Sequence, residues 1–252
     1  MANSLCSQIR FEHSLFRQAL RRPRPGGEGA AVWPRTREEL QARQAELARR
    51  REPPWRPAAG PIAIGGCSVC FAPAEAGRER AWAGAALVGA GHVGPAVVAG
   101  EVSVEYEPGL MALREGPLLE AAVRALPRLP DVLIVPAAGR DHPRRAGLAV
   151  HLGAVLGLPT VGLTRRPLAA SGPMPSAADA GSGSVLMIDG EPVAAWIRTR
   201  AGARPLVAHA GWRTSAQTAI EIVLASCAGR RWPKPIRQAR SAARLARSRA
   251  LR

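Results

Sequence analysis

Apolar positions along the chain fall into short runs separated by proline, glycine and charged residues, and the period of each run sets the element it predicts. Over residues 36–50, Leu40 and Leu47 stand a heptad apart with Ala45 and Ala48 nearby. That spacing predicts a helix opened by Pro34 and Thr36 and stopped by Pro53, Pro54 and Pro57. Residues 62–71 are a short apolar run around Gly65-Gly66, read as a strand that another backbone approaches closely. Two further strands are predicted over 81–89 and 93–104, the second breaking into a loop at Glu105-Tyr106-Glu107-Pro108-Gly109. Leu113, Leu118, Leu119 and Ala122 then recur at helical spacing within 110–126.

Beyond Pro127 and Pro130 the alternation becomes regular. Residues 131–135 read as a buried strand, and His142-Pro143 as the start of a helix carrying Leu148, Leu152 and Val155 and capped by Gly157. A strand follows over 158–163, then a Pro/Gly/Ser/Ala-rich loop over 167–183. Residues 185–188 and 193–198 form a hairpin around Asp189-Gly190. A short strand at 206–208 and a helix over 214–227 complete the pattern. Strands first, then alternating helix and strand, give an α/β class with a mixed sheet.

Composition adds organisation rather than chemistry. The chain has 252 residues and a formal charge of +16, distributed as +6 over residues 1–60, +1 over 61–229 and +9 over 230–252. Residues 1–31 hold Arg21-Arg22-Pro23-Arg24-Pro25-Gly26-Gly27 without periodicity and read as a disordered basic extension. The expected layout is therefore this extension, one domain over 32–229, and a basic tail over 230–252. Such a tail suits nucleic acid or any other anionic surface, and equally a solvated end. No apolar run approaches the roughly 18 residues of a membrane span. No secretory signal opens the chain, so a cytoplasmic setting is expected. Four cysteines are too few for a disulfide scaffold of this size.

Several chemistries are excluded at once. The single lysine, Lys234, rules out a P-loop, and neither a GxSxG elbow nor an HExxH helix occurs. Cys67 and Cys70 point to opposite faces of a strand and lack a second pair, so they read as core residues. His142 and His151 lie half a turn out of phase and cannot share one ion, with His151 read as a half-buried helix residue.

One constellation is more specific. The run 129–135, then Gly139, His142-Pro143-Arg144-Arg145, Gly147-Leu148-Ala149, His151-Leu152-Gly153 and Leu158-Pro159-Thr160-Val161-Gly162 resembles the endonuclease V family. Tyr106, Pro108-Gly109, Leu113-Arg114-Glu115 and Pro117 upstream, Trp33-Pro34 at the first helix, and Gly211 with Arg213 downstream extend the resemblance over about residues 33–235. It implies a single-domain ribonuclease H-like fold. It also implies a monomeric Mg²⁺- or Mn²⁺-dependent endonuclease of DNA repair, which nicks one nucleotide past a deaminated purine such as hypoxanthine.

Position by position, the resemblance places the metal-binding and catalytic glutamate at Glu115 and a proton-transfer or phosphate-placing role at His142. It gives strand-wedging or backbone-holding roles to Tyr106, Pro108, Gly109, Arg144, Arg145 and Arg165. The two metal-binding aspartates of the family fall at Ser68 and Pro136, neither of which is a carboxylate. The histidine expected before Arg213 is Trp212, a downstream aspartate is Gln217, and the wedge carries Glu105 and Glu107. Scaffold positions are kept while metal positions are replaced, which points to a folded protein whose hydrolysis is weakened or lost. Removing two of three carboxylates costs on the order of 10³-fold or more in rate. Three readings stay open: an endonuclease of reduced activity using Mg²⁺ or Mn²⁺; a cofactor-free nucleic-acid-binding protein, with DNA the expected partner and RNA the alternative; and a scaffold with no nucleic-acid role whose near-neutral core serves partner contacts. Asp141 is a solvated acid at a helix start, or a replacement metal ligand.

Overall fold

Thr36 opens the first helix as the period predicts: its hydroxyl accepts from Glu39 N–H at 3.2 Å, and Glu39 reaches back to Arg35 N–H at 2.7 Å. In this computed structural model, which describes residues 33–57, 59–73, 79–89, 91, 93–102, 104 and 107–252, helix α1 is Arg37–Arg49. The 1–31 extension and Tyr106 lie outside the described residues.

Strands β1 (Ile64–Phe71), β2 (Glu79–Val88) and β3 (Ala96–Val102) form an antiparallel meander. Helix α2 (Met111–Arg124) returns the chain to β4 (Val132–Val135), parallel to β1, and helix α3 (Leu148–Leu156) leads to β5 (Thr160–Thr164), parallel to β4. The hairpin β6 (Gly183–Ile188) and β7 (Glu191–Ile197) turns at Asp189 and Gly190, both at positive φ. Strand β8 (Leu206–Ala210) pairs antiparallel with β5 and β7. The eight-stranded order is β3-β2-β1-β4-β5-β8-β7-β6, a mixed ribonuclease H-like sheet.

Helices cover both faces. Leu118, Leu119, Leu148 and Leu152 bury one face of the sheet with Leu40 from α1. Helix α4 (Ala216–Cys227) buries Ala219, Ile222 and Val223 against Ile134, Val161 and Leu163 on the other. No described helix is long and apolar enough to cross a membrane.

Two sequence expectations need correction. The helix expected from His142 begins at Leu148 instead. Residues 139–147 form a folded loop in which Arg145 takes φ +55° and Gly147 N–H donates to Gly139 O at 2.9 Å, so the backbone cannot enter the helix earlier. Residues 230–252, read from their charge as a tail, contain helix α5 (Lys234–Ala250). Its Ile236, Ala239 and Ala243 recur at helical spacing and are buried against β1 and β2.

Candidate functional site

The three parallel strands β1, β4 and β5 end side by side, and the carboxyl edge of such strands is where α/β sheets hold ligands. Ser68 lies in the last half of β1, Pro136 directly follows β4 and Arg165 directly follows β5. All three line one open cleft of roughly 340 Å³. Glu115 joins them from α2, with Met111, Val69 and Phe71 as the apolar wall, and Arg240 and Arg244 from α5 close the far side. The structure thus brings together Glu115, both positions where the resemblance expects aspartate, and Arg165.

Glu115 is only 9% exposed, and its carboxylate makes no hydrogen bond among the described residues. Burial pushes its pKa up to about 7, against the weaker opposing pull of Arg114. Arg114 is itself occupied, by an ion pair with Glu79, a hydrogen bond to Val104 O at 2.5 Å and the face of Phe71. Ser68 is 4% exposed and its hydroxyl likewise has no partner among the described residues. The neighbouring Cys67 faces the opposite side of β1, where burial and the charge of Glu115 raise its thiol far above the ordinary range. It is an inert core thiol, as the strand alternation predicts.

The basic wall depends on how closely α5 approaches the sheet. A Cβ on Gly66 would lie 2.7 Å from Ile236 N and Pro235 C, and one on Gly84 would collide with Ala239 O. Helix and sheet therefore meet backbone to backbone, which turns Arg240 and Arg244, four residues apart, into the cleft. Neither of them nor Arg165 forms an ion pair or side-chain hydrogen bond among the described residues. Arg240 lies over the Trp232 ring at 5.1 Å. Burial, Arg244 and Arg165 together lower its pKa, a sign of crowded like charges. Sequence reasoning missed both arginines as cleft residues. The usable signal was the 236, 239, 243 spacing, hidden beneath the charge of the segment.

The remaining candidates form a second group. His142 is buried, and both of its ring nitrogens are used: Arg144 N–H donates to Nδ1 at 3.1 Å, so Nε2–H donates to Gly109 O at 3.3 Å. Burial leads the causes that lower its pKa and keep it neutral. Arg144 reaches Gln44 at 3.4 Å, and Gln44 donates to Gly109 O at 3.2 Å. His142 and Arg144 therefore brace the Pro108-Gly109 turn and do not line the cleft. Pro108 is exposed on that turn, and Glu107 beside it is paired with Arg37, which neutralises one of the two wedge acids. The Arg145 guanidinium is paired with Glu191.

Asp141 is neither solvated nor a metal ligand. It is fully buried, and its carboxylate accepts from the N–H groups of Leu168, Ala169 and Ala170 at 2.9, 2.7 and 2.6 Å. Burial opposes its charge, but His209 and those N–H groups outweigh burial and hold its pKa far below the carboxylate range. His209 Nδ1 lies 3.3 Å from the carboxylate. The Thr164 hydroxyl donates to Arg166 O at 2.6 Å, so His209 Nε2–H donates to the Thr164 oxygen at 2.7 Å. This chain anchors the loop that begins with Arg165. His151 also departs from expectation. It is 1% exposed, stacked on Trp33 at 4.6 Å, and has no partner for either ring nitrogen.

The divalent cation implied by the resemblance does not fit this donor set. Hard octahedral cations require converging oxygen ligands, several of them anionic. Here one carboxylate, one neutral hydroxyl and a proline meet three guanidinium groups. No group of three His, Cys, Asp or Glu among the described residues is arranged to hold a metal ion.

Comparison with known proteins agrees with this architecture. Residues 47–241 match the family model described as Endonuclease V. Endonuclease V of Streptomyces avermitilis is 36% identical over 222 residues, covering 86% of this chain and 94% of that protein. The crystal structure of the Streptomyces avermitilis endonuclease V superposes with a TM-score of 0.72 at 33% identity, covering 87% of this chain and 96% of that one. A Ciona intestinalis endonuclease V in complex with DNA containing an inosine has a TM-score of 0.67 at 21% identity, over 85% of this chain and 99% of that one.

Proposed function

The chain belongs to the endonuclease V family, and on that premise we propose that it is a DNA repair protein that engages strands carrying a deaminated purine, hypoxanthine, with phosphodiester hydrolysis weakened or lost. The observation that carries this reading is the cleft itself, which Glu115 lines together with Ser68 and Pro136, the two positions where the family resemblance expects metal-binding aspartates. Family relatives are named as endonucleases, and the Ciona protein is described with inosine-containing DNA bound, which supports a nucleic-acid ligand for the same scaffold. DNA is the preferred partner, at a monomeric, cytoplasmic protein.

Chemistry in the cleft follows from the groups present. Hydrolysis needs a deprotonated water and a stabilised leaving oxygen, roles that converging carboxylates and their cations fill in such nucleases. Neither Ser68 nor Pro136 supplies an anionic ligand, so no hydrolytic step is assigned to them. The residues do suit binding: Arg165, Arg240 and Arg244 present forked donors to a phosphate. The Pro108-Gly109 turn, held by His142 and through Gln44 by Arg144, belongs to this reading as the element that meets the strand. Tyr106, adjacent to that turn in sequence, belongs to this reading as a base-stacking residue.

The test is a denaturing-gel assay on an oligonucleotide carrying one hypoxanthine, with Mg²⁺ or Mn²⁺, for the unaltered protein and Glu115→Ala. The expected result is little or no cleavage in either protein, with binding read separately by anisotropy. A robust nick one nucleotide past the lesion that disappears in Glu115→Ala would establish a working nuclease instead.

A further inference from the structure

The ligand class of the cleft follows from its charge inventory, an inference that rests on the nucleic-acid reading above and deepens it. Among the side chains lining the cleft are three fixed cations, Arg165, Arg240 and Arg244, and one carboxylate, Glu115. The net charge is positive even with Glu115 ionised, so the cleft favours an anion over a divalent cation. None of the three guanidinium groups has an acidic partner among the described residues. The nearly buried Ser68 hydroxyl opens onto the cleft with its hydrogen-bonding capacity unused. Like charges crowded at one wall repel, and a phosphate between them relieves that repulsion while accepting charge-assisted hydrogen bonds.

We propose that the cleft is a metal-independent phosphodiester site, in which Arg165, Arg240 and Arg244 hold a nucleic-acid phosphate and Ser68 Oγ–H donates to it. The arginines take over the positive charge that divalent cations supply elsewhere in the family. Guanidinium groups match phosphate oxygens in a planar fork and do not lose their charge at any physiological pH, so this positive wall is permanent.

The experiment is fluorescence anisotropy with a fluorescein-labelled duplex carrying one hypoxanthine, in EDTA and in Mg²⁺ at matched ionic strength. The expected result is equal affinity in both buffers. Arg165→Gln, Arg240→Gln and Arg244→Gln are each expected to weaken binding by roughly tenfold, the scale of one charge-assisted hydrogen bond. Arg249→Gln with Arg252→Gln, which removes charge near the far end of the same helix, is expected to cost less than about threefold through screened electrostatics alone. Glu115→Gln, which removes the one carboxylate lining the cleft, is expected to tighten binding in EDTA, and weaker binding by this variant overturns the charge argument. Binding that requires Mg²⁺, or equal losses from cleft and far-end variants, overturns the proposal while leaving a nucleic-acid-binding protein in place. Absence of binding by the unaltered protein in both buffers overturns the underlying reading as well.

Discussion

Ser68, on β1, and Pro136, directly after the parallel β4, each lie two residues beyond the paired Gly66 and Ile134, and both open onto the cleft that Glu115 lines. The backbone therefore brings positions 68, 115 and 136 to one cleft. Ser68→Asp with Pro136→Asp is expected to create a cation site. Melting temperature, nearly unmoved by Mn²⁺ in the unaltered protein, should rise by about 5 °C or more in the double variant, the shift expected near a hundredfold excess over Kd. A double variant that melts identically with and without Mn²⁺ contradicts the idea that these three positions can share one ion.

His151 sets an acid limit on stability. Burial leads the causes that lower its pKa to about 4, while the unfolded side chain titrates near 6.5. Between those values the unfolded state binds a proton that the native state refuses, so stability falls as pH drops from about 6.5 towards 4. The loss is about 3 kcal/mol at the acid end of that window. Urea titrations across this range should show the slope in the unaltered protein and a flatter one in His151→Phe, which keeps the stack on Trp33 and removes the unpartnered nitrogens. An equal slope in both proteins assigns the acid sensitivity elsewhere.

Asp141 holds three consecutive N–H groups of the 168–170 segment. Asp141→Ala leaves those three buried donors without their acceptor and is expected to cost about 3 kcal/mol. Hydrogen exchange at the amides of 168–170 should accelerate more than exchange in β4 or β5. Uniform acceleration across the domain would mean that Asp141 supports the core generally and not the loop behind Arg165.

Arg140 ties α1 to the loop before α3, donating to Leu47 O at 3.1 Å, Ala48 O at 3.3 Å and Arg50 O at 3.2 Å. These are the carbonyls that a helix end leaves unpaired. Arg140→Met, which keeps the aliphatic stem, is expected to lower stability by about 2 kcal/mol and to fray the last turn of α1. Amide exchange at residues 46–50 reports it, and unchanged protection there refutes it.

Much of this molecule is legible in its sequence, for identifiable reasons. Strands β1, β4 and β5 are continuous apolar runs because helices cover both their faces, and the Asp189-Gly190 turn adopts the positive φ values that hairpins require. The convergence of Ser68, Glu115 and Pro136 is visible only through family resemblance, since no periodicity relates positions 68, 115 and 136. Local reasoning fails where a distant partner decides. Asp141 looks like a helix-start acid until the 168–170 loop folds over it. His142 looks like a free helix-start imidazole until Gly109 and Arg144 occupy both nitrogens. Residues 234–250 look like a solvated tail because arginine dominates the composition, although four small or apolar residues suffice to seat the helix.

That seat has an evolutionary consequence. Where side chains interlock, changing one face of a helix disturbs its packing partner. Here Gly66 and Gly84 meet bare backbone, and Pro235, Ile236, Ala239 and Ala243 are the buried positions of α5. The outward positions of the helix are then released from the constraints of the interior. Single substitutions are able to redraw the charge on that wall, and with it what the cleft accepts, without renegotiating the fold.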